Sequence, residues 1–382
     1  MVNQGKCRVW RMVCMMLLWA WTAQGDPERK VPSEEGQLHE EEGLVWYEAH
    51  QLALEGQGWE GEELESAFDR LPARAKGKVR DAVWNLSKDS AGLCVRFRTD
   101  SPEIHARWIL SDGGLSMPHM PATGVSGLDL YVRDEQGSWR WLATGRPAAQ
   151  DNKKRLVGDL PVRMRDYCIY LPLYNGLEKM YLGFRKEAGV EPLIRPQERA
   201  KPIVFYGTSI TQGGCASRTG MVHCAILGRR LDRPVINLGF SGNGRMEASV
   251  AQFLADLDPA VYVIDCLPNI KAEEVAERTA PLVRILRDAR PETPIVLAED
   301  RTYGHAFLVS SARKRNDTSR AALRKAFEEL KAEGVADLHY LPGEMQLGED
   351  NLGTVDGSHP TDLGFIRMAD AFEKVLRPIL ED

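Results

Sequence analysis

Five short apolar bursts, separated by stretches of helical periodicity, constrain the second half of this chain more than any other feature. They are Pro202-Ile203-Val204-Phe205-Tyr206, Val235-Ile236-Asn237-Leu238, Val261-Tyr262-Val263-Ile264, Pro294-Ile295-Val296-Leu297 and a weaker one near Ala336-Asp337-Leu338. Continuous, largely β-branched runs of this kind mark strands buried on both faces. Between them Val275, Thr279, Leu282, Val283 and Leu286 fall on one helical stripe, as do Leu323, Ala326, Phe327 and Leu330. Repeated βα units predict a parallel sheet covered by helices on both sides, with functional residues in the loops beyond the carboxyl ends of the strands.

The first half follows a different grammar. From about Ala91 to Arg185, short β-rich runs alternate with turn residues: Leu93–Arg98, Ile104–Ile109, Leu128–Val132, Trp139–Leu142, Ile169–Leu171 and Met180–Phe184. Many short strands at this spacing predict a β-sandwich. Residues 26–45, with Pro27, Pro32 and two acidic runs, read as a flexible leader. Ahead of them, Lys6, Arg8 and Arg11 precede an apolar run from Met12 to Ala23, and Ala23-Gln24-Gly25 offers small residues where a signal peptidase cuts. That run is about a dozen residues, short of the ~20 needed to span a bilayer. The expectation is a cleavable signal peptide over 1–25, a secreted or periplasmic protein, and no integral membrane span in the mature chain.

The 382 residues are globular in composition and carry a formal charge of −6, and the only charges among residues 1–25 are basic. No phosphate-binding role follows from an acidic mature chain, and no nucleic-acid partner is expected. Five cysteines lie beyond the signal region, an odd number that leaves at least one thiol free; Cys215 and Cys224 could pair or be two buried thiols. No CxxC or HExxH pattern occurs, so no metal site is expected.

The chemistry-bearing residues cluster at the strand ends. Gly207-Thr208-Ser209-Ile210-Thr211-Gln212-Gly213-Gly214 follows the first burst, and a serine at a tight strand-to-helix turn can present its hydroxyl at the sheet edge, although a helix N-cap reads the same. Asn237-Leu238-Gly239-Phe240-Ser241-Gly242-Asn243-Gly244 follows the second burst, and Asp265-Cys266-Leu267-Pro268-Asn269 the third. Near the end, Asp356-Gly357-Ser358-His359-Pro360 spaces a carboxylate three positions before an imidazole, so one turn can fold the acid onto a ring nitrogen and leave the other facing outward.

In this order the four segments resemble those of the SGNH hydrolases, also called the GDSL family of esterases and lipases. The resemblance implies Ser209 as nucleophile, Asp356 and His359 as acid and base, and an oxyanion hole made by Ser209, Gly242 and Asn269. It also implies an SGNH-type, flavodoxin-like α/β/α sandwich with a five-stranded parallel sheet over 196–382. Gly127-Leu128-Asp129-Leu130-Tyr131 looks like the GxDLY segment of a branch in which a β-sandwich, here jelly-roll-like over 46–195, precedes the hydrolase domain. Thr208 and Ile270 depart from the family pattern, since many members have Asp at both places.

The reaction expected from this resemblance is ester hydrolysis through an acyl-enzyme, with no cofactor. Export, the β-sandwich and an acidic, non-greasy chain favour a saccharide ester such as an acetylated sugar over bulk lipid. An acyltransferase, short-chain lipase or thioesterase would use the same scaffold, and a non-catalytic carbohydrate-binding protein is the alternative of another class. The apolar, adaptable cluster of Met117, His119 and Met120 is expected to wall the substrate pocket.

Overall fold

The computed structural model describes residues 35–39, 42–59 and 61–381, so the expected signal peptide lies outside the described residues. The N-terminal half contains β1 (Gln37–His39), β2 (Leu44–Glu48), β3 (Ala53–Glu55), β4 (Cys94–Thr99), β5 (Ile104–Leu110), β6 (Leu128–Arg133), β7 (Trp139–Gly145), β8 (Asp151–Val157), β9 (Arg165–Tyr170), β10 (Leu177–Arg185) and β11 (Val190–Pro192). One antiparallel sheet runs β1-β2-β10-β5-β8 and the other β11-β4-β9-β6-β7. β3 shares an edge of β4 with β11: it pairs with Cys94–Arg96, and β11 with Phe97–Thr99. Alternation drives the packing. In β5, Ile104, Ala106, Trp108 and Leu110 are buried, and they meet Phe97, Leu130, Ile169 and Leu182 in one core between the sheets.

The C-terminal half carries β12 (Ile203–Gly207), β13 (Val235–Gly239), β14 (Val261–Asp265), β15 (Ile295–Ala298) and β16 (Leu338–Leu341), all parallel, in the order β13-β12-β14-β15-β16. Successive residues of each strand feed opposite faces. Tyr206, Ile264 and Leu297 pack under α5 (Ala248–Asp256), α6 (Ala272–Ala289) and α7 (Ser310–Ala332), while Phe205, Val263 and Val296 pack under α4 (His223–Arg230) and α8 (Asp362–Glu381). The strand order reverses at β12 and β14, and a crevice at the carboxyl edge is expected at that switch point. All five expected parallel strands and the β-rich domain before them are present.

Two expected boundaries need correction. The leader does not extend to residue 45, because Gln37–His39 pair in register with Leu44–Trp46. Nor does the whole of 46–195 belong to the sandwich. Trp59, Leu71, Ala75, Val79, Val83 and Trp84, the last two on a helix at Asp81–Leu86, are buried with Tyr206, Ile236 and Phe253 in the core of the parallel sheet. The excursion between β3 and β4 is therefore part of the second domain's packing. Cys215 and Cys224 are both free and buried.

The segment Gly127–Tyr131 supplies another tie between the halves. Asp129, on β6, is fully buried and accepts from Nη1 of Arg218 at 2.9 Å to each oxygen, from the Gly220 N–H at 3.1 Å and from Trp141 Nε1 at 2.9 Å. Arg218 and Gly220 lie just ahead of α4, so one carboxylate holds the sandwich to the α/β layer. Removing one partner of such a buried pair strands the other. Asp129→Ala is expected to lower the free energy of unfolding by about 3–5 kcal/mol, read from the denaturant midpoint at constant slope.

Candidate active site

β12 ends on Gly207 and the chain turns at Thr208, whose hydroxyl caps the Ile210 N–H at 3.3 Å, into the short helix α3 (Ser209–Gln212). Ser209 is its first residue, at the switch point. Its Oγ lies 2.8 Å from His359 Nε2, and His359 Nδ1 lies 2.7 Å from Asp356 Oδ2. The turn predicted from the D-x-x-H spacing forms as expected: Asp356 Oδ1 accepts the backbone N–H groups of Ser358 and His359 at 2.9 and 2.8 Å. Partial burial pushes the Asp356 carboxyl up, but these N–H groups and the imidazole outweigh it and hold it at about 2. The pair is therefore an ionised carboxylate against an imidazole whose other nitrogen faces a serine hydroxyl. That is the arrangement a general base needs.

The loop after β13 presses against this turn. A Cβ on Gly244 would lie 1.8 Å from the Gly207 carbonyl oxygen, so only glycine permits the approach. Gly242 has φ +69° and open space around its Cα, and its N–H meets no acceptor among the described residues. Asn269 ends the turn after β14. The Asn243 and Gly244 N–H groups stand 3.1 and 3.2 Å from one end of its amide, which is therefore the oxygen, leaving the NH2 on the opposite side. The reverse orientation would aim the NH2 at both donors for a single 3.4 Å bond to the Phe240 carbonyl.

The tip of the Met117–Met120 turn reaches the site. Met117 and Met120 exchange backbone hydrogen bonds of 3.0 and 3.1 Å, and this tight turn points His119 outward, its ring 6.2 Å from that of His359. The same turn sends Met120 inward. At 2 % exposure, packed with Val125, Leu173 and Ala216, it fills the core between the domains and cannot wall an open pocket; Met117 lies half-buried against the same core.

Several residues the sequence did not single out hold the site in place. Arg70 is buried and donates to the carbonyls of Leu86 and Asp89, at 2.5 and 2.8 Å, and to those of Asn237 and Gly239 at the end of β13, at 3.0 and 2.7 Å. Its guanidinium also lies 5.1 Å from the Phe240 ring centroid. Burial lowers it to about 10, so it remains a cation at neutral pH. Asp89 accepts from Gln212 Nε2 at 2.8 Å, and Gln212 Oε1 accepts the Ser241 N–H at 3.0 Å. Tyr174 donates to the Ser209 carbonyl at 3.0 Å. From below, Arg301, paired with Asp300 and fully buried, donates to the Ser358 carbonyl at 3.2 Å. Arg70, Asp89, Tyr174 and Arg301 stand in segments with no motif spacing to mark them, and Gln212 lies in the Gly207–Gly214 segment without a pattern of its own.

Among the described residues no group of three or more His, Cys, Asp or Glu side chains could hold a metal, and no helix is long and apolar enough to cross a membrane. Burial, opposed by the Arg70 charge and the Gln212 hydrogen bond, raises Asp89 from 3.8 to about 6. Folding thus favours its protonated form. The stability it contributes is present below about pH 4 and lost as pH rises through about 6. Asp89→Asn is expected to gain stability relative to the native protein over that window and to run parallel to it elsewhere, measured by denaturant unfolding at a series of pH values.

Two family models cover most of the described chain: the GDSL-like lipase/acylhydrolase family over residues 200–377, and the N-terminal segment of SGNH-hydrolase-type esterases, GxDLY, over 44–190. The crystal structure of a GDSL-like lipase from Bacteroides ovatus is 34% identical, covers 88% of this chain and 98% of its own, and superposes with a TM-score of 0.83. The salicylyl-acyltransferase SsfX3 from a tetracycline biosynthetic pathway shares the fold at 19% identity and a TM-score of 0.68, over 92% of this chain and 97% of its own. A family two carbohydrate esterase from Cellvibrio japonicus shares it at 14% identity and a TM-score of 0.57, over 88% and 98%. No curated protein matches the chain. The chain belongs to the GDSL-like lipase/acylhydrolase family and is an SGNH-type ester hydrolase with that family's GxDLY domain in front of the hydrolase fold.

Proposed function

We propose that this protein is an exported serine esterase that cleaves carboxylic esters through an acyl-enzyme, with an acetylated saccharide as substrate. The observation that carries the mechanism is the hydrogen-bonded chain from Ser209 through His359 to Asp356. Ser209 Oγ attacks the ester carbonyl while His359 Nε2 takes its proton, and the Asp356 carboxylate stabilises the imidazolium. The oxyanion that forms is met by the N–H groups of Ser209 and Gly242 and by the Asn269 NH2. His359 then returns the proton to the leaving alcohol, and the same imidazole activates a water that frees the acid.

Export is supported by the basic and apolar pattern of residues 1–25, and the saccharide by the acidic chain and the two-part fold it shares with a carbohydrate esterase. The likeness to an acyltransferase over nearly the whole chain supports a second reading, in which an alcohol replaces water at the acyl-enzyme. Assaying acetate release from acetylated saccharides, with and without added alcohol acceptors, separates the two.

A serine-reactive phosphonate is expected to label Ser209, and Ser209→Ala to lose both label and hydrolysis with little change in melting; labelling elsewhere would overturn the nucleophile. Asn269→Ala is expected to lower kcat by about 10²–10³ with a smaller effect on KM, since an oxyanion donor acts mainly in the transition state. Asp356 stays ionised down to about pH 2, so the carboxylate keeps its charge across the range of an ordinary activity assay. Asp356→Asn is expected to keep the fold and reduce kcat by up to about 10⁴, the neutral amide being unable to hold the required tautomer.

A further inference from the structure

Exposed large apolar side chains are concentrated in two loops beside His359. Phe307 and Leu308, 62 % and 78 % exposed, with Val309, lie between β15 and α7, and Leu352 and Val355 lie between β16 and α8. A run of three consecutive exposed apolar residues is unfavourable unless it meets something other than water. The two loops form one surface. The Gly304 N–H donates to the Gly357 carbonyl at 2.9 Å, and His305 lies so close to Gly357 that a Cβ there would come within 2.3 Å of its Nδ1.

Between them opens a cleft of about 310 Å³ lined by Tyr303, His305, Val309, Ala312, Arg315 and Ser358. The Tyr303 and His305 rings are stacked, 6.0 Å between centroids and 14° between planes. Arg315 reaches from α7 to the Leu267 carbonyl at 2.9 Å, so the cleft spans from the turn that carries Asn269 to the one that carries His359.

Its position decides which half of a substrate it takes. The carbonyl oxygen of an ester at Ser209 faces Gly242 and Asn269, and the leaving oxygen must lie against His359 Nε2 to receive its proton. Resting on the esterase reading above, we infer that the Tyr303–Val309 loop is the alcohol subsite, and that the alcohol half of the substrate presents a flat apolar face, that of an aryl ring or the C–H face of a sugar. The stacked Tyr303 and His305 rings offer such a face its counterpart, Val309 lines the cleft beside them, and the exposed Phe307 stands two residues before it in the same loop.

The test holds the acyl group at acetyl and varies the alcohol. Benzyl acetate and methyl acetate leave as alcohols of similar acidity, and a monoacetylated methyl glucoside provides the sugar arm. Phosphonate labelling of Ser209 reports separately on the catalytic reading. Phe307→Ser and Val309→Ser are both conservative of fold, the first being exposed and the second placing serine at the N-cap of α7. Each is expected to lower kcat/KM about tenfold for benzyl acetate, for the acetylated glucoside, or for both, while methyl acetate stays within twofold and labelling is unchanged. Loss on benzyl acetate alone identifies an aryl alcohol, and loss on the glucoside identifies a sugar. In the native enzyme, benzyl alcohol or phenyl glucoside should inhibit competitively where methanol does not. Equal loss on methyl acetate, a changed preference between p-nitrophenyl acetate and octanoate, or an effect confined to binding phosphatidylcholine vesicles would overturn the assignment.

Discussion

A guanidinium taken out of water is tolerated only where its donors find acceptors, and Arg70 finds them in main-chain carbonyls at a strand end. That choice has consequences. It fixes the end of β13, hence the loop that follows, hence the Gly242 N–H and the Asn243 and Gly244 N–H groups that orient Asn269. The side of the site that carries Gly242 and Asn269 is thus held by a residue from the excursion between β3 and β4. The turn from Asp356 to His359 is held more locally, since the Asp356 carboxylate accepts two N–H groups within three residues and Arg301 adds one bond to the Ser358 carbonyl.

This difference explains what could be read from sequence. The five buried strands announce themselves because residues flanked by helices on both faces must be continuously apolar. Ser209, Asp356 and His359 stood out because strand ends and short turns are local features, and the structure brings these three side chains into one hydrogen-bonded chain. β8 escaped notice because it is an edge strand whose Asn152-Lys153-Lys154-Arg155 run keeps mostly to solvent. The place of Trp59, Leu71, Ala75, Val79, Val83 and Trp84 in the second domain's core is hidden for a deeper reason: periodicity reports that a residue is buried and is silent about what covers it. Arg70 and Asp89 carry no local signal at all.

The two departures from the family pattern are both used by the structure. Thr208 is fully buried and caps α3 with its hydroxyl, a task an Asp side chain also performs. Ile270 is buried in the core under α5 and α6, where a carboxylate would lack a solvent. Neither substitution touches a reacting atom. The site also has two characters: a polar side of glycines and amide, and an apolar side of loops flanking His359.

The insertion of Trp59 to Trp84 into the core of the second domain has a consequence for how the chain is made. Synthesised from the N-terminus, this strip emerges well before β12 to β14, the strands that cover it. At about 5–20 residues per second its aromatic side chains wait on the order of ten seconds for their partners. The sandwich, whose eleven strands are complete by Pro192, can close around the strip's two ends in the meantime. It then acts as an internal tether, keeping a sticky segment close to the later part of the chain that buries it. Exchanging the front domain for a relative's would therefore also exchange part of the hydrolase core.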